Sequence, residues 1–199
     1  MRKIKKNIGI SVTVLCIAIA GIIVCAYFGY VSTLINPDSE KSLNKHLGVS
    51  KESIITVLAQ EKYNNYLGIY YTDSNGEEGI SNFVYLKENK LCKGRYKIHG
   101  GGSGNTSVKA QCVSSNDNNF DEAPFYFIYG QNVADNICTV FECNENGYFT
   151  KKINEISVPD NPFVIAETYN LSNDNSDIFI LEGKVTEKDV AQMMEINNQ

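Results

Sequence analysis

The chain has 199 residues, a formal net charge of −5 and a hydrophobic content of 43%. That hydrophobic content, together with only 21% charged residues, excludes an intrinsically disordered chain. Four of its 18 basic residues lie in the first six positions, and the rest of the chain is acidic, with 23 Asp and Glu. Nucleic acid is therefore not an expected partner, because phosphate binding needs a basic surface.

A long uncharged segment near the N-terminus is the strongest pattern. No Asp, Glu, Lys or Arg occurs between Lys6 and Asp38, whereas a helix needs roughly 20 apolar residues to cross a bilayer. Basic residues cluster before the segment and none follows it before Lys41, so the positive-inside rule places the N-terminus in the cytoplasm. We predict a cytoplasmic tail over 1–7 and one transmembrane helix over 8–34 that contacts the lipid bilayer.

Three other interpretations compete for this segment, and one of them, a type IV pilin, would need a Glu five residues after Gly9, where Val14 stands. A cleaved signal peptide would use Ala18-Ile19-Ala20, although the apolar stretch continues beyond the usual end of such a peptide. A lipoprotein anchor would need a small residue before its cysteine, which neither Cys16 nor Cys25 has. Three aromatic residues near the outer end fit either an interfacial belt or ordinary lipid-facing bulk: Tyr27, Phe28 and Tyr30.

The next residues, 35–53, predict a juxtamembrane helix and a linker. Asn36 is the expected N-cap, with Pro37 at the first helical position and Gly48 at the end. The segment 54–199 then predicts one extracytoplasmic β-rich domain that ends in a helix. Thr186 and Asp189 have the spacing of a capping box for that last helix.

Short runs rich in β-branched and aromatic residues, separated by Asn- and Gly-containing turns, predict strands. They cover Ile54–Leu58, Tyr66–Thr72, Ile80–Leu86, Leu91–Ile98, Ser107–Val113, Phe125–Tyr129, Ile137–Cys143, Tyr148–Ile153 and Phe163–Thr168. The predicted fold class is mainly β (α+β). An N-terminal transmembrane helix precedes an antiparallel meander or sandwich-like domain flanked by two short helices.

Four cysteines follow the membrane segment, so three disulfide pairings are open, and all four could instead be thiols. A hairpin centred on Gly102 would place Cys92 opposite Cys112, where a cross-strand disulfide is geometrically natural. Cys138 and Cys143 fall in one predicted strand, about 16 Å apart at 3.3 Å per residue, and are too distant to pair.

A glycine-rich segment is the most conspicuous motif of the chain: His99, Gly100, Gly101, Gly102, Ser103, Gly104 and Asn105. Such a run can supply oxyanion-hole amides or cradle a phosphate. The sequence lacks the GxSxG elbow of a hydrolase and the Lys-Ser/Thr ending of a phosphate loop. We predict a flexible hairpin loop here, which could contact a partner.

Catalytic and metal-binding residues are scarce. The two histidines, His46 and His99, are the available bases for a serine or cysteine nucleophile. The stretch 116–122 offers oxygen ligands for calcium but lacks the glycine and distant glutamate of an EF-hand. Glu77 and Glu78 lie in a glycine-flanked turn, where solvation explains them. We predict no catalytic residues, no cofactor and no metal site.

Three short motifs carry a resemblance to a known group: Tyr70-Tyr71, Gly94-Arg95-Tyr96-Lys97 and Tyr129-Gly130-Gln131-Asn132. The pattern resembles small membrane-anchored ectodomain proteins of Gram-positive bacteria, over about residues 54–153. The resemblance implies a location and a fold, and it carries over no activity and no site residue.

The sequence therefore favours a membrane-tethered extracytoplasmic binding module of the bacterial cell envelope, with another envelope protein as its partner. One alternative is an immunity or inhibitor protein with an exposed aromatic and acidic patch, to which Phe120, Tyr126 and Tyr129 would contribute. A further alternative is an envelope hydrolase, which requires two acidic residues that converge in a concave pocket.

Overall fold

The computed structural model describes residues 2–104, 107–113, 124–159, 162–173, 175–186, 188–189 and 192. The helices are α1, Arg2–Val31, and α2, Glu40–Leu47, and one turn of 3-10 helix covers Ala134–Asn136. The strands are β1 Ile55–Tyr63, β2 Tyr66–Asp73, β3 Ser81–Glu88, β4 Tyr96–Gly104, β5 Val108–Val113, β6 Phe125–Gly130, β7 Ile137–Cys143, β8 Phe149–Ser157, β9 Phe163–Glu167 and β10 Asp177–Glu182. All pairings between these strands are antiparallel. The predicted mainly β fold with an N-terminal apolar helix is confirmed.

Of the helices in the described part of the chain, α1 alone is long and apolar enough to cross a membrane. Its window Val14–Val31 has a mean hydropathy of 2.5, and none of that window is buried within the protein. Such a helix suits a membrane anchor or a signal sequence. Its orientation, its cleavage and the limits 8–34 stay predictions.

The short helix α2 starts later than the sequence suggested. The N-cap predicted at Asn36 is wrong, because the Ser39 hydroxyl caps the helix and accepts from the Ser42 amide at 3.3 Å. Asn36 instead donates its backbone N–H to Ser42 Oγ at 2.8 Å. The predicted end at Gly48 is confirmed. The two leucines of α2 are buried against the sheet that contains β2.

The strands form three sheets. The first has the order β1-β2-β3-β4, the second β5-β6-β9 and the third β10-β7-β8. β1 contacts β9, and β5 contacts β10, so the sheets adjoin along these strands. Among the described residues, the outermost strands of the whole arrangement are therefore β4 and β8.

Eight of the nine predicted strands coincide in position with observed ones. The ninth, Leu91–Ile98, overlaps β4 only at its end, since 89–95 forms a turn before that strand. β10 was not predicted. The predicted meander holds for the first sheet, whereas β9 and β10 pair with the earlier strands β6 and β7. These pairings join segments about 35 residues apart or more, which local patterns do not encode.

The centre of the molecule is β6, of which all six residues are buried. Its odd-numbered side chains pack against the first sheet, and its even-numbered side chains pack against the third. The fully buried Phe127 has its ring centroid 5.7 Å from that of Phe83 in β3. A Cβ added at Gly68 in β2 would lie 3.0 Å from the Phe127 ring, so the glycine makes room for it. One strand thus connects two hydrophobic cores.

The cysteines do not pair in the predicted way. β4 pairs with β3 and β5 pairs with β6, so the hairpin that would have joined Cys92 to Cys112 does not exist. Both residues are free thiols, like the chain's other cysteines. Cys92 Sγ instead donates to the Tyr27 hydroxyl at 3.9 Å. Cys138 and Cys143 share β7, as predicted.

The capping box near the C-terminus is confirmed. Thr186 donates its backbone N–H to Asp189 Oδ2 at 3.0 Å, and Asp189 donates its own to Thr186 Oγ1 at 3.3 Å. Hydrogen bonding to Thr186 lowers the pKa of the Asp189 carboxyl. Most of the predicted C-terminal helix lies outside the described residues.

A buried carboxylate, Glu142 in β7, holds the loop before β10. Only 1% of the residue is exposed, and its side chain accepts from the Ser172 amide at 2.7 Å and from the Ser172 hydroxyl at 2.9 Å. Burial by itself raises the pKa of Glu142, but these hydrogen bonds, another from Ser176 and the charge of Lys151 bring it below its ordinary value. The carboxylate is therefore a structural anchor.

We expect Phe127→Ala to lower the free energy of unfolding by about 3–5 kcal/mol, because it opens a cavity where two sheets meet. Tyr148→Ala is the matched control: Tyr148 is 46% exposed, and its loss should change stability by about 0.5 kcal/mol or less. Urea unfolding of the detergent-solubilised chain measures both. Equal losses would contradict the central position of β6.

We expect Glu142→Gln to destabilise the protein by about 1–3 kcal/mol at neutral pH, since one acceptor and the charge are lost. Because folding lowers the pKa of Glu142, its stabilisation is complete above its unfolded pKa of about 4.3 and is lost as the pH falls through the folded value. The stability gap between wild type and variant should therefore close in acid. The exposed Glu145→Gln is the control, and a gap unchanged between neutral and acidic pH would refute this role.

Candidate functional site

The glycine-rich segment is a strand rather than a loop. His99–Gly104 belong to β4, which pairs with β3, so the predicted hairpin loop is wrong, while Asn105 lies outside the described residues. The pairing has one irregularity, where Tyr85 and Leu86 of β3 face Gly100 and Ile98 and the intervening His99 is the extra residue on β4. β3 lies on one side of β4, and the other side is the outer edge of the first sheet.

Among the described residues, backbone covers this outer edge at one end. Tyr96 exchanges two hydrogen bonds with Ile35, each 2.9 Å long, through its own N–H and C=O. The next residue, Lys97, pairs with Lys87 of β3. Backbone groups of an antiparallel strand alternate between its two sides, so the N–H and C=O of Ile98 point outward again. The outer edge thus opens directly after Tyr96.

Packing requires glycine at some positions of β4 and not at others. A Cβ at Gly100 would lie 2.5 Å from the Tyr85 ring, and one at Gly101 would lie 2.3 Å from the Phe83 carbonyl oxygen. These two residues must be glycine for the first sheet to pack. A Cβ at Gly102 would meet only the Tyr129 hydroxyl, at an ordinary 3.5 Å. Internal packing therefore does not require Gly102, and its bare backbone leaves space for another chain to approach.

The far end of β4 carries a side-chain contact. Lys109 Nζ donates to the Ser103 carbonyl at 2.7 Å, and Gly104 has a φ of +150°, which favours glycine. The lysine thus binds the Ser103 carbonyl. Between Ile98 and Gly102, no described strand covers the outer edge.

The other outer strand, β8, has more of the features that discourage pairing at a sheet edge than β4 has. Its residues include the charged Lys151 and Glu155, and its pairing with β7 has two register shifts, against one in the pairing of β4 with β3. Charges and bulges are the usual means by which proteins prevent pairing at a sheet edge. β4 instead offers neutral, mostly glycine backbone over its second half. This outer edge is the candidate interaction site.

The nucleophiles and bases considered from the sequence do not come together. His46 lies on α2, where burial, followed by the charge of Lys45, lowers its pKa. His99 lies on β4, with its ring centroid 6.0 Å from that of Tyr66. Burial raises the pKa of Cys138 and of Cys143 to about 11, so neither is a thiolate at neutral pH. These cysteines serve as apolar packing.

The buried carboxylates are also structural. Asp73 at the end of β2 accepts from the amides of Val49, at 2.8 Å, and Asn75, at 2.9 Å. Burial by itself raises the pKa of Asp73. The hydrogen bonds from these amides and from Ser53 lower the pKa by a larger amount, so it lies below its ordinary value. Glu142 lies in a different sheet. Within the described residues, no three His, Cys, Asp or Glu side chains are grouped to hold a metal ion, and the calcium-like stretch 116–122 lies outside them.

An open cleft of about 910 Å³ lies between α2 and the loop that follows it. Its lining includes the acidic residues Glu40 and Glu52 together with Lys41, Lys45 and Lys51. Mixed charges of this kind are typical of a solvated surface. The exposed pair Glu77-Glu78 remains in a turn, as predicted.

The sequence singled out the segment that now forms part of the candidate site but assigned it the wrong structure. One local signal could have identified the strand: the apolar Leu86 and Ile98 face each other in the pairing of β3 with β4 over 81–104. Comparisons with protein-family models, curated protein sequences and solved structures gave no match.

Proposed function

We propose that the protein is a membrane-tethered extracytoplasmic interaction module of the cell envelope, and that the outer edge of β4 accepts an extended strand of a partner protein. The observation that carries this proposal is the glycine-containing backbone between Ile98 and Gly102, whose outer side is not paired with any strand in the described part of the chain. An added strand gains main-chain hydrogen bonds at such an edge. Bare backbone on the receiving side allows close approach.

The remaining features are consistent with a tethered module. α1 supplies an apolar helix long enough to anchor the chain, and contacts at Tyr27, Tyr30 and Ile35 hold β4 and its preceding turn against the end of that helix. An anchored domain whose binding edge has a fixed distance from the membrane meets envelope partners at a defined height.

The inhibitor alternative loses two of its three proposed contributors. Tyr126 is 3% exposed and Tyr129 is 5% exposed, so these rings form core instead of a surface patch, and Phe120 lies outside the described residues. Burial raises the pKa of the Tyr129 hydroxyl to about 12. The hydrolase alternative has no support from the two buried carboxylates, Asp73 and Glu142, which bind backbone amides in separate sheets.

We expect Ile98→Pro to abolish binding of a partner strand, because proline removes the outward N–H at the open edge. Ile98→Thr keeps that N–H and a β-branched side chain, so it should bind normally. Ile98 is 52% exposed, and either variant should therefore retain the fold. The measurement is photo-crosslinking in native membranes from a photoreactive residue at position 99, with mass spectrometry of the adduct.

The expected pattern is an adduct of defined mass from position 99 in the wild-type and threonine backgrounds, and none in the proline background. A photoreactive residue at the exposed Tyr148, directly before β8, is the positional control and should yield no such adduct. Persistence of the adduct in the proline variant, or equal adducts from both positions, would refute strand addition at β4. Thermal unfolding of each variant verifies the fold.

A further inference from the structure

The turn 89–95, which precedes β4, lies against the last turns of α1. Asn89 donates its side-chain N–H to the Tyr30 hydroxyl at 2.7 Å, and Cys92 Sγ lies 3.9 Å from the Tyr27 hydroxyl. Cys92 is buried, with 7% of the residue exposed. Two side chains of α1, one helical turn apart, therefore hold the turn beside the helix.

The level of this contact along α1 is within the apolar window. Both tyrosines belong to Val14–Val31, the window that is long enough to cross a membrane. Tyr27 precedes the end of the window by about 6 Å along the helix axis, at 1.5 Å per residue. The Cα–Cβ bonds of a helix tilt toward its N-terminus, which here is the side of the apolar window. A bilayer that surrounds the window would therefore reach the level of Cys92.

The turn has a well-defined conformation. The side-chain oxygen of Asn89 accepts from the amides of Leu91 and Cys92, at 3.0 Å and 3.1 Å. The Asn89 amide donates to the Arg95 carbonyl at 2.7 Å, and the Arg95 amide donates to the Cys92 carbonyl at 3.1 Å. These hydrogen bonds connect both ends of the turn, so the backbone of the turn fixes the position of Leu91.

Leu91 is the most exposed large hydrophobic residue in the described part of the chain, at 83%. Exposed lysines, Lys90 and Lys93, lie on either side of it in the sequence. An apolar side chain between lysines is typical of segments at the boundary between lipid headgroups and acyl chains, because the ammonium groups can extend to the water. Insertion of Leu91 into lipid would remove apolar surface that the fold itself leaves in water.

We propose that the turn 89–95 contacts the membrane, and that Leu91 inserts into the outer leaflet of the bilayer that α1 crosses. The inference rests on the membrane anchor of the proposed function and is independent of strand addition at β4. The partner is the lipid surface, because the turn is held against the part of α1 that lipid would surround. Insertion keeps the start of β4 at the bilayer surface.

The test uses the absence of tryptophan from the chain, since a single introduced tryptophan then reports its own surroundings. Full-length Leu91→Trp, Phe28→Trp and Tyr148→Trp are each reconstituted in nanodiscs of phosphatidylcholine, with or without bromine on the acyl chains. Bromine quenches tryptophan fluorescence at short range. Phe28 is 66% exposed within the apolar window and reports the anchor. Tyr148, directly before the opposite outer strand β8, is the control outside the membrane.

We expect brominated lipid to quench Leu91→Trp about as strongly as Phe28→Trp and to leave Tyr148→Trp unchanged. Water-soluble acrylamide should show the reverse order. Quenching of Phe28→Trp by brominated lipid without quenching of Leu91→Trp overturns the proposal, because the turn would then lie in water or against another protein. Absence of quenching at Phe28→Trp would instead contradict the membrane anchor in the proposed function.

A second measurement keeps the native leucine, because tryptophan itself favours membrane interfaces. In nanodiscs of the unmodified chain, the Leu91 methyl signals are identified in NMR spectra by their loss in Leu91→Ser. A water-soluble gadolinium chelate should broaden them little. It should strongly broaden the methyl signal of Ile54, which is 61% exposed and lies at the opposite end of the first sheet. Equal broadening of the two residues overturns the proposal.

Discussion

Burial of both faces of β6 is the constraint on which the rest of the structure depends. Because its alternate side chains fill two different cores, the second sheet must lie between the first and the third. Phe127 and Ile128, adjacent in sequence and both fully buried, belong to opposite cores. Among the described residues, the arrangement leaves β4 and β8 as the outer strands.

The sequence predicted features whose cause is local. The uninterrupted apolar run of β6 is typical of a strand buried on both faces. Asn64, in the turn between β1 and β2, has the positive φ that asparagine tolerates in such turns. The Thr186–Asp189 capping box depends only on hydrogen bonds between its own residues. The sequence did not reveal which strands pair. In the sequence, Gly100 and Gly101 resemble a turn. The structure requires glycine at these positions because the Tyr85 ring and the Phe83 carbonyl, both supplied by β3, leave no space for a Cβ. The disulfide prediction was wrong for the same reason, since it depended on a pairing partner that long-range packing decides.

The two ends of β4 have different environments. Near α1, the start of β4 is fixed by its backbone hydrogen bonds to Ile35. Farther along, Ile98–Gly102 offers uncharged backbone, which suits hydrogen bonding to another strand. The acidic charge of the remaining chain is then best understood as a means of solubility.

Residue-resolved amide hydrogen exchange along β4, measured by NMR on the purified full-length chain, tests the open edge most directly. The alternation set by Tyr96 predicts that the Ile98 amide points outward and exchanges rapidly, while the Lys97 amide, paired with β3, is protected. The β6 amides provide the reference for full protection. Equal and strong protection at Lys97 and Ile98 would show that the edge is already covered within the chain, and this would contradict the central claim that β4 is open to a partner.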